Sequence, residues 1–288
     1  MAHPTSTAPL APHAGARRPA RTPDDALTER SYRVWSAGDY DRISAGFRHE
    51  AEAFVERQAL RPGQRVLDAA CGTGNLTIPA ARTGARVTGL DLVPALLAHA
   101  AAWADREHLD VALDEGSVEA LPYADASFDV VLSMFGLMFA ARPERVVAEL
   151  ARVTRPGGRV AMANWTRAGF VGRMLALHVA QVPPPAGVPS VLLWADEAAL
   201  RERFDAATWT LTLTPRVLTF RYPYPPEGTA ELFRAAYGPT VRTLEALDDA
   251  RRAAFADALT AHWTAHQRAD ARDTRVDAEY LDVVAVRR

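Results

Sequence analysis

Residues 66–75 constrain this chain more than any others. Val66-Leu67-Asp68-Ala69-Ala70-Cys71-Gly72-Thr73-Gly74-Asn75 reads as a strand running into a tight glycine turn, with a helix starting at Leu76. Gly72 and Gly74 lack Cβ atoms, so the backbone turns sharply and a ligand can come close to it. The segments that follow repeat the unit. Strand patterns lie at 86–90, 110–113, 128–132 and 159–164, and helical patterns at 94–106 and 143–154, with a turn at Pro156-Gly157-Gly158. Strands alternating with helices at this spacing predict parallel βαβ units, hence an α/β, doubly wound sheet. Asp91 stands 23 positions after Asp68. Both are expected at the C-terminal ends of neighbouring strands, where such sheets bind ligands. A carboxylate there can accept hydrogen bonds from both hydroxyls of a ribose.

The flanking segments divide the chain further. Residues 1–25 are rich in Pro and Ala and poor in large apolar side chains. They bury too little to offset the entropy of ordering, so a disordered tail is expected, with His3 and His13 simply part of it. Residues 26–62 are expected to be helical and to end at the Pro62-Gly63 break. Residues 63–166 form the ligand-binding core. Residues 167–288 carry two β patterns at 208–214 and 216–222, a helical stretch at 229–267 broken near Gly238-Pro239, and a last strand at 280–286.

Composition removes several classes. A chain of 288 residues with 49% hydrophobic and 24% charged residues is an ordinary globular protein, not a disordered chain, collagen or a coiled coil. The net charge of -2 argues against a nucleic-acid binder. All 33 basic residues are Arg, which excludes a Lys Schiff base or a P-loop Lys. The single Cys71 permits neither an internal disulfide nor a Cys-based zinc site. No apolar run reaches a membrane span and no signal-peptide core is present, so a cytoplasmic protein without membrane or nucleic-acid partners is expected.

Two ligand classes suit the glycine turn. A dinucleotide fingerprint, G-x-G-x-x-G, needs a third glycine where this chain has Thr77. An S-adenosylmethionine site needs no pyrophosphate cradle. It needs a glycine turn beside the amino-acid end, an acid on the ribose and a pocket for adenine. At these residues the sequence resembles the class I S-adenosylmethionine-dependent methyltransferases, over about residues 30–166. Asp68-Ala69-Ala70-Cys71-Gly72-Thr73-Gly74 resembles the family's D-x-x-C-G-T-G loop. Gly89-Leu90-Asp91-Leu92 resembles its acidic motif. Gly116-Ser117-Val118-Glu119-Ala120-Leu121-Pro122 is similar to its adenine segment. Ser127-Phe128-Asp129-Val130-Val131 and Arg155-Pro156-Gly157-Gly158 resemble its fourth strand and the turn before the fifth. Ser117 stands where the family usually has Asp, and a hydroxyl accepts from an adenine amine more weakly than a carboxylate does. The subgroup with the most similar motifs includes quinone-biosynthesis and natural-product methyltransferases.

The resemblance implies a mostly parallel seven-stranded sheet, a helical N-terminal lid and a helical C-terminal insertion. It implies S-adenosylmethionine held by Tyr40, Asp68, Ala69, Gly72, Gly74, Asp91, Leu92, Ser117, Val118 and Ser133. Tyr32, Trp35 and Tyr40 are lid candidates, or else core aromatics under the first helix. Phe135, Met138, Trp165, Trp194, Phe233 and Tyr237, with Tyr32 and Trp35, would line a pocket for a small, hydrophobic or aromatic acceptor. Methyl transfer from a sulfonium is a direct displacement that needs mainly alignment and water exclusion. His178 is the candidate base if one is needed. His262 and His266 have the spacing of metal ligands but no apparent third ligand, so a solvated helix face is expected and no metal. The alternatives are a non-methylating S-adenosylmethionine-binding protein on the same fold and a NAD-dependent oxidoreductase.

Overall fold

The computed structural model describes residues 25–268 and 272–288. The tail expected at 1–25, with His3 and His13, falls outside the described residues except for Asp25. The chain enters through three helices, α1 (Asp25–Trp35), α2 (Tyr40–Ser44) and α3 (Arg48–Arg57), with a 3-10 turn at Ala45–Phe47. The expected alternation follows: β1 (Arg65–Ala69), α4 (Thr77–Arg82), β2 (Arg86–Asp91), α5 (Pro94–Arg106), β3 (Val111–Glu115), β4 (Phe128–Met134), α6 (Pro143–Val153) and β5 (Thr154–Trp165). The rest comprises α7 (Phe170–Gln181), α8 (Glu197–Arg203), β6 (Trp209–Tyr222), α9 (Pro226–Ala236), α10 (Gly238–Glu245), α11 (Asp249–His266) and β7 (Thr274–Arg287).

The seven strands form one sheet in the order β3-β2-β1-β4-β5-β7-β6. The first five pair in parallel, and β7 runs antiparallel to both β5 and β6. The central strands are apolar on both faces, as strands covered by helices must be; Val66, Leu67, Val130, Val131 and Leu132 are fully buried. Strand order reverses at β1, which lies between β2 and β4, so the crevice at its C-terminal end is where a ligand can enter the sheet.

Three boundaries differ from expectation. The two β patterns around Pro215 are a single 14-residue strand, β6. This strand is the sheet edge, paired only with β7, so the missing proline N–H breaks no inner ladder. Strand β5 begins at Thr154, and its register with β4 shifts between Phe128 and Val130, so the Arg155–Gly158 turn is absorbed as a bulge. The C-terminal helical stretch breaks a second time, before Asp249, where Asp248 caps α11 by accepting from the Arg251 N–H.

The N-terminal helices are fixed to the far end of the sheet. Tyr222 in β6 donates its hydroxyl hydrogen bond to the Ile43 carbonyl at 2.6 Å. Its ring lies against Gly46, where a Cβ would meet the ring 2.3 Å away. Only a glycine lets the 3-10 turn seat there. Gly46→Ala should cost about 1–3 kcal/mol of stability. Chemical denaturation should show that loss, and adding Tyr222→Leu should recover part of it.

Candidate active site

The crevice beyond β1, β2 and β4 is a cavity partly open to solvent. Asp68, Ala70, Cys71 and Gly72 come from the β1 end, Asp91 and Leu92 from the β2 end. Gly116, Ser117, Val118 and Glu119 come from the loop after β3, and Met134, Phe135 and Gly136 from the end of β4. Helix α1 roofs it with Thr28, Ser31 and Trp35. Those three residues lie at i, i+3 and i+7, one helical face, a periodicity that could have revealed Thr28 and Ser31.

Two buried carboxylates dominate its electrostatics. Asp91 is 7% exposed and accepts from the Gly72 N–H at 2.8 Å and the Val93 N–H at 3.0 Å. Burial raises its pKa, against the backbone hydrogen bonds of Val93, Gly72 and Leu92. Asp68 is 1% exposed and accepts from the Thr77 hydroxyl at 2.6 Å. Burial pushes the Asp68 carboxyl up to about 7, and the charge of Asp91 adds to the effect. Thr77, the residue that breaks the dinucleotide fingerprint, is therefore a partner of the first acid. Among the described residues no cation pairs with either carboxylate. Burying two carboxylates with no counter-charge among the described residues is costly.

The glycine turn divides its tasks. Gly72 adopts φ +55°, and a Cβ there would face the cavity, with Tyr40 its nearest neighbour at 3.9 Å. Gly74, at φ +91°, instead packs on α5, where a Cβ would come within 3.1 Å of Ala100. Ala69 likewise belongs to the strand interior and does not border the cavity. Ser117 and Val118 do border it. The Ser117 hydroxyl already accepts from the Glu119 N–H at 3.2 Å, closing a local turn. The Glu119 carboxylate is bound by Arg142 at 2.5 Å, and Arg142 also donates to the Thr28 hydroxyl at 3.2 Å. One arginine thus ties the loop after β3 to the roof helix.

A second, smaller and inner chamber adjoins the first. Trp35, Tyr40, Phe47, Phe135 and Phe139 border both. Trp165, Phe220, Phe233 and Tyr237 wall the inner one, and Phe135 stacks face to face on Trp165 with ring centroids 3.5 Å apart. No ionic side chain is among its lining residues. Burial, and secondarily the charge of Asp91, raises the Tyr40 pKa, so that hydroxyl stays neutral.

Several expected site residues lie elsewhere. Ser133 is 1% exposed; its hydroxyl donates to the Ala69 carbonyl and accepts from the Leu137 N–H, joining β4 to β1. Met138 is fully buried in the 3-10 turn Leu137–Phe139, which turns Phe139 toward the cavities instead. Trp194 packs against Phe204, under the Arg203 guanidinium, away from both cavities. Tyr32 is half-buried and borders neither, while Trp35 borders both. His262 stacks on Phe170 and donates to its carbonyl, and His266 donates to the His262 carbonyl. Both are half-buried, at the edge of the side of α11 that packs on Phe170. Among the described residues no group of three or more His, Cys, Asp or Glu is arranged to hold a metal.

His178 is not placed to act as a base. Its Nδ1 donates to the Met174 carbonyl at 2.8 Å, so Nε2 accepts from the Thr240 hydroxyl at 2.8 Å. It borders neither cavity. Burial pushes its pKa down to about 4. It pins α7 to α10.

A family described as "Methyltransferase domain" matches residues 67–162. An uncharacterised protein of Mycobacterium tuberculosis is 37% identical over 219 residues, covering 75% of this chain and 80% of its own. A demethylmenaquinone methyltransferase of Renibacterium salmoninarum is 40% identical over 109 residues, 38% of this chain and 44% of that one. The solved structure of the YcgJ protein of Bacillus subtilis shares the fold, with a TM-score of 0.58 at 16% identity over 83% of this chain and 99% of that one. The fold is a doubly wound sheet with a cavity at its switch point. The chain belongs to the class I S-adenosylmethionine-dependent methyltransferases. It is a methyltransferase, and S-adenosylmethionine is its cofactor. The oxidoreductase alternative falls with that assignment. Among the described residues no helix is long and apolar enough to cross a membrane.

The His178 assignment has a pH signature. A histidine whose folded pKa lies below its unfolded value of 6.5 favours the native state above pH 6.5. That contribution is lost as pH falls from 6.5 toward about 4. The stability gap between wild type and His178→Gln should therefore narrow as pH drops, by about 1.4 kcal/mol per pH unit below 6.5. Urea unfolding at pH 7.5 and pH 5 measures it; a constant gap would mean that His178 titrates normally.

Proposed function

We propose that this enzyme methylates a small, neutral, largely apolar acceptor, aromatic by preference, chiefly by aligning the reactants and excluding water. One observation carries the reading: the cavity of the two carboxylates shares its inner wall with an aromatic chamber that has no ionic side chain among its lining residues.

The buried, uncompensated acids and the open face of Gly72 fit S-adenosylmethionine, whose sulfonium and ammonium supply the missing positive charge. When bound, that cofactor supplies a methyl group already activated on a positively charged sulfur. The chain's own residues then divide the work. Asp91 takes the ribose hydroxyls, with its carboxylate pre-aimed by the Gly72 and Val93 N–H groups. Asp68 answers the amino-acid end, held by Thr77. Leu92, Ser117 and Val118 border the adenine side, with Arg142 fixing the loop of Ser117 and Val118 through Glu119. Trp35 and Tyr40 close the cavity where it meets the chamber. The chamber holds the acceptor against Phe135, Trp165, Phe233 and Tyr237 and keeps water from the reacting atoms. None of its lining residues can serve as a general base at neutral pH, so the acceptor reacts in the form in which it binds.

Two measurements test this. Each charge-assisted hydrogen bond to Asp91 contributes about 1.5–3 kcal/mol. Calorimetry should show S-adenosylmethionine binding to Asp91→Ala weakened at least tenfold, with cooperative unfolding retained; unchanged affinity would sink the cofactor roles assigned here. For the acceptor, release of S-adenosylhomocysteine should be followed on paired substrates. Neutral bicyclic aromatic amines, nucleophilic as bound, should turn over and lose the extra proton to solvent after the transfer. The same rings bearing a carboxylate or phosphate should be at least a hundredfold slower, because burying an unpaired charge is costly. Equal rates for both sets would refute the apolar-chamber reading.

A further inference from the structure

The inner chamber holds a polar group that no described residue satisfies. Tyr237 is 5% exposed and lines this chamber only, not the outer cavity. Its hydroxyl has no hydrogen-bond partner among the described residues, yet it is not sealed away from open space as the Trp263 indole nitrogen is. A buried hydroxyl without a partner costs free energy unless a ligand or water completes it.

The position of Tyr237 is set with care. It stands at the break between α9 and α10, where its carbonyl accepts from the Thr240 N–H at 2.8 Å. The Thr240 hydroxyl is in turn held by His178. On the other side the Asp39 N–H donates to the Ala236 carbonyl at 2.9 Å, and a Cβ on Gly238 would lie 2.1 Å from the Val34 carbonyl. The residue is thus clamped between α7 and the segment that follows α1, and its ring packs on Trp35 and Phe233 at centroid distances of 6.0 and 5.4 Å. Such a side chain presents its hydroxyl at a fixed place. The other polar side-chain atoms in the chamber differ from it. Tyr40 also borders the outer cavity and feels the charge of Asp91, and the indoles of Trp35 and Trp165 can only donate.

We propose that Tyr237 is the acceptor-positioning residue: its hydroxyl bonds an uncharged oxygen, a hydroxyl or a carbonyl, on a planar acceptor that lies among the chamber's rings. This rests on the reading that the chamber is the acceptor site. A phenolic hydroxyl can donate to a carbonyl or accept from a hydroxyl, so either oxygen is accommodated, whereas a hydrocarbon of the same shape leaves Tyr237 unpaired. Discrimination of this kind exceeds what apolar contact alone provides.

The test uses two probes of one ring system, 2-naphthol and naphthalene, bound to the full chain loaded with S-adenosylhomocysteine. Wild type should bind 2-naphthol about tenfold more tightly than naphthalene. Tyr237→Phe keeps the ring; it should lose that preference by weakening 2-naphthol alone, with naphthalene and S-adenosylhomocysteine affinities unchanged. Val171→Phe, which fills the chamber, should abolish binding of both probes. Absence of the preference in wild type, its survival in Tyr237→Phe, or failure of either probe to bind overturns the proposal. Binding that Val171→Phe does not disturb overturns instead the reading of the chamber as the acceptor site.

Discussion

The architecture of the site follows from two carboxylates buried in a crevice where no described residue supplies a counter-charge. Asp68 and Asp91 end neighbouring parallel strands, and the main chain around them is bent to serve them. The Gly72 and Val93 N–H groups point at Asp91, and the Thr77 hydroxyl points at Asp68. These bonds hold the acids in place but do not replace the lost water, as the upward pKa shifts of both register. Part of the folding free energy is therefore held in a site that either protonation or the arrival of positive charge relieves. The aromatic roof strengthens the effect, because attraction between charges grows as water is excluded.

Most of this was legible because it is local. Asp68, Gly72 and Asp91 fall where a strand-turn-helix pattern ends, and chain geometry alone brings successive βα turns to one edge of a parallel sheet. The residues misplaced from sequence were those whose role depends on side-chain direction. Ser133 and Met138 sit beside true cavity residues, but the 3-10 turn Leu137–Phe139 rotates Met138 into the core and brings Phe139 outward. His178 lies on an apolar helix, where a base and a buried pin have the same local pattern; only Thr240, 62 positions away, decides between them. Trp194 was placed by residue type alone, and its neighbours Phe204 and Arg203 make it part of a separate packing unit.

Glycine positions carried two kinds of information that the sequence does not separate. Gly72 is open toward the ligand side, whereas Gly74, two residues on, is required by the approach of α5. Thr77 illustrates the converse. Its side chain is incompatible with one fingerprint and, through its bond to Asp68, a working part of another. A motif is best read by what each side chain must touch, because the same spacing serves different ligands.

The division of the chain follows from these constraints. The parallel half of the sheet, from β1 to β4, supplies the carboxylates. The inner chamber is assembled from distant parts of the chain: Trp35 and Phe47 before the sheet, Phe135 and Trp165 at strand ends, Phe220, Phe233 and Tyr237 beyond residue 200. The antiparallel pair β6–β7 makes this possible, since it carries Phe220 and Tyr222 back under the N-terminal helices, where Tyr222 bonds Ile43. Trp35 and Tyr40 then belong to both cavities at once. A displacement of either ring alters the donor cavity and the aromatic chamber together. The N-terminal helices and the C-terminal insertion are thereby one structural device, built on opposite ends of the sequence and joined across β6.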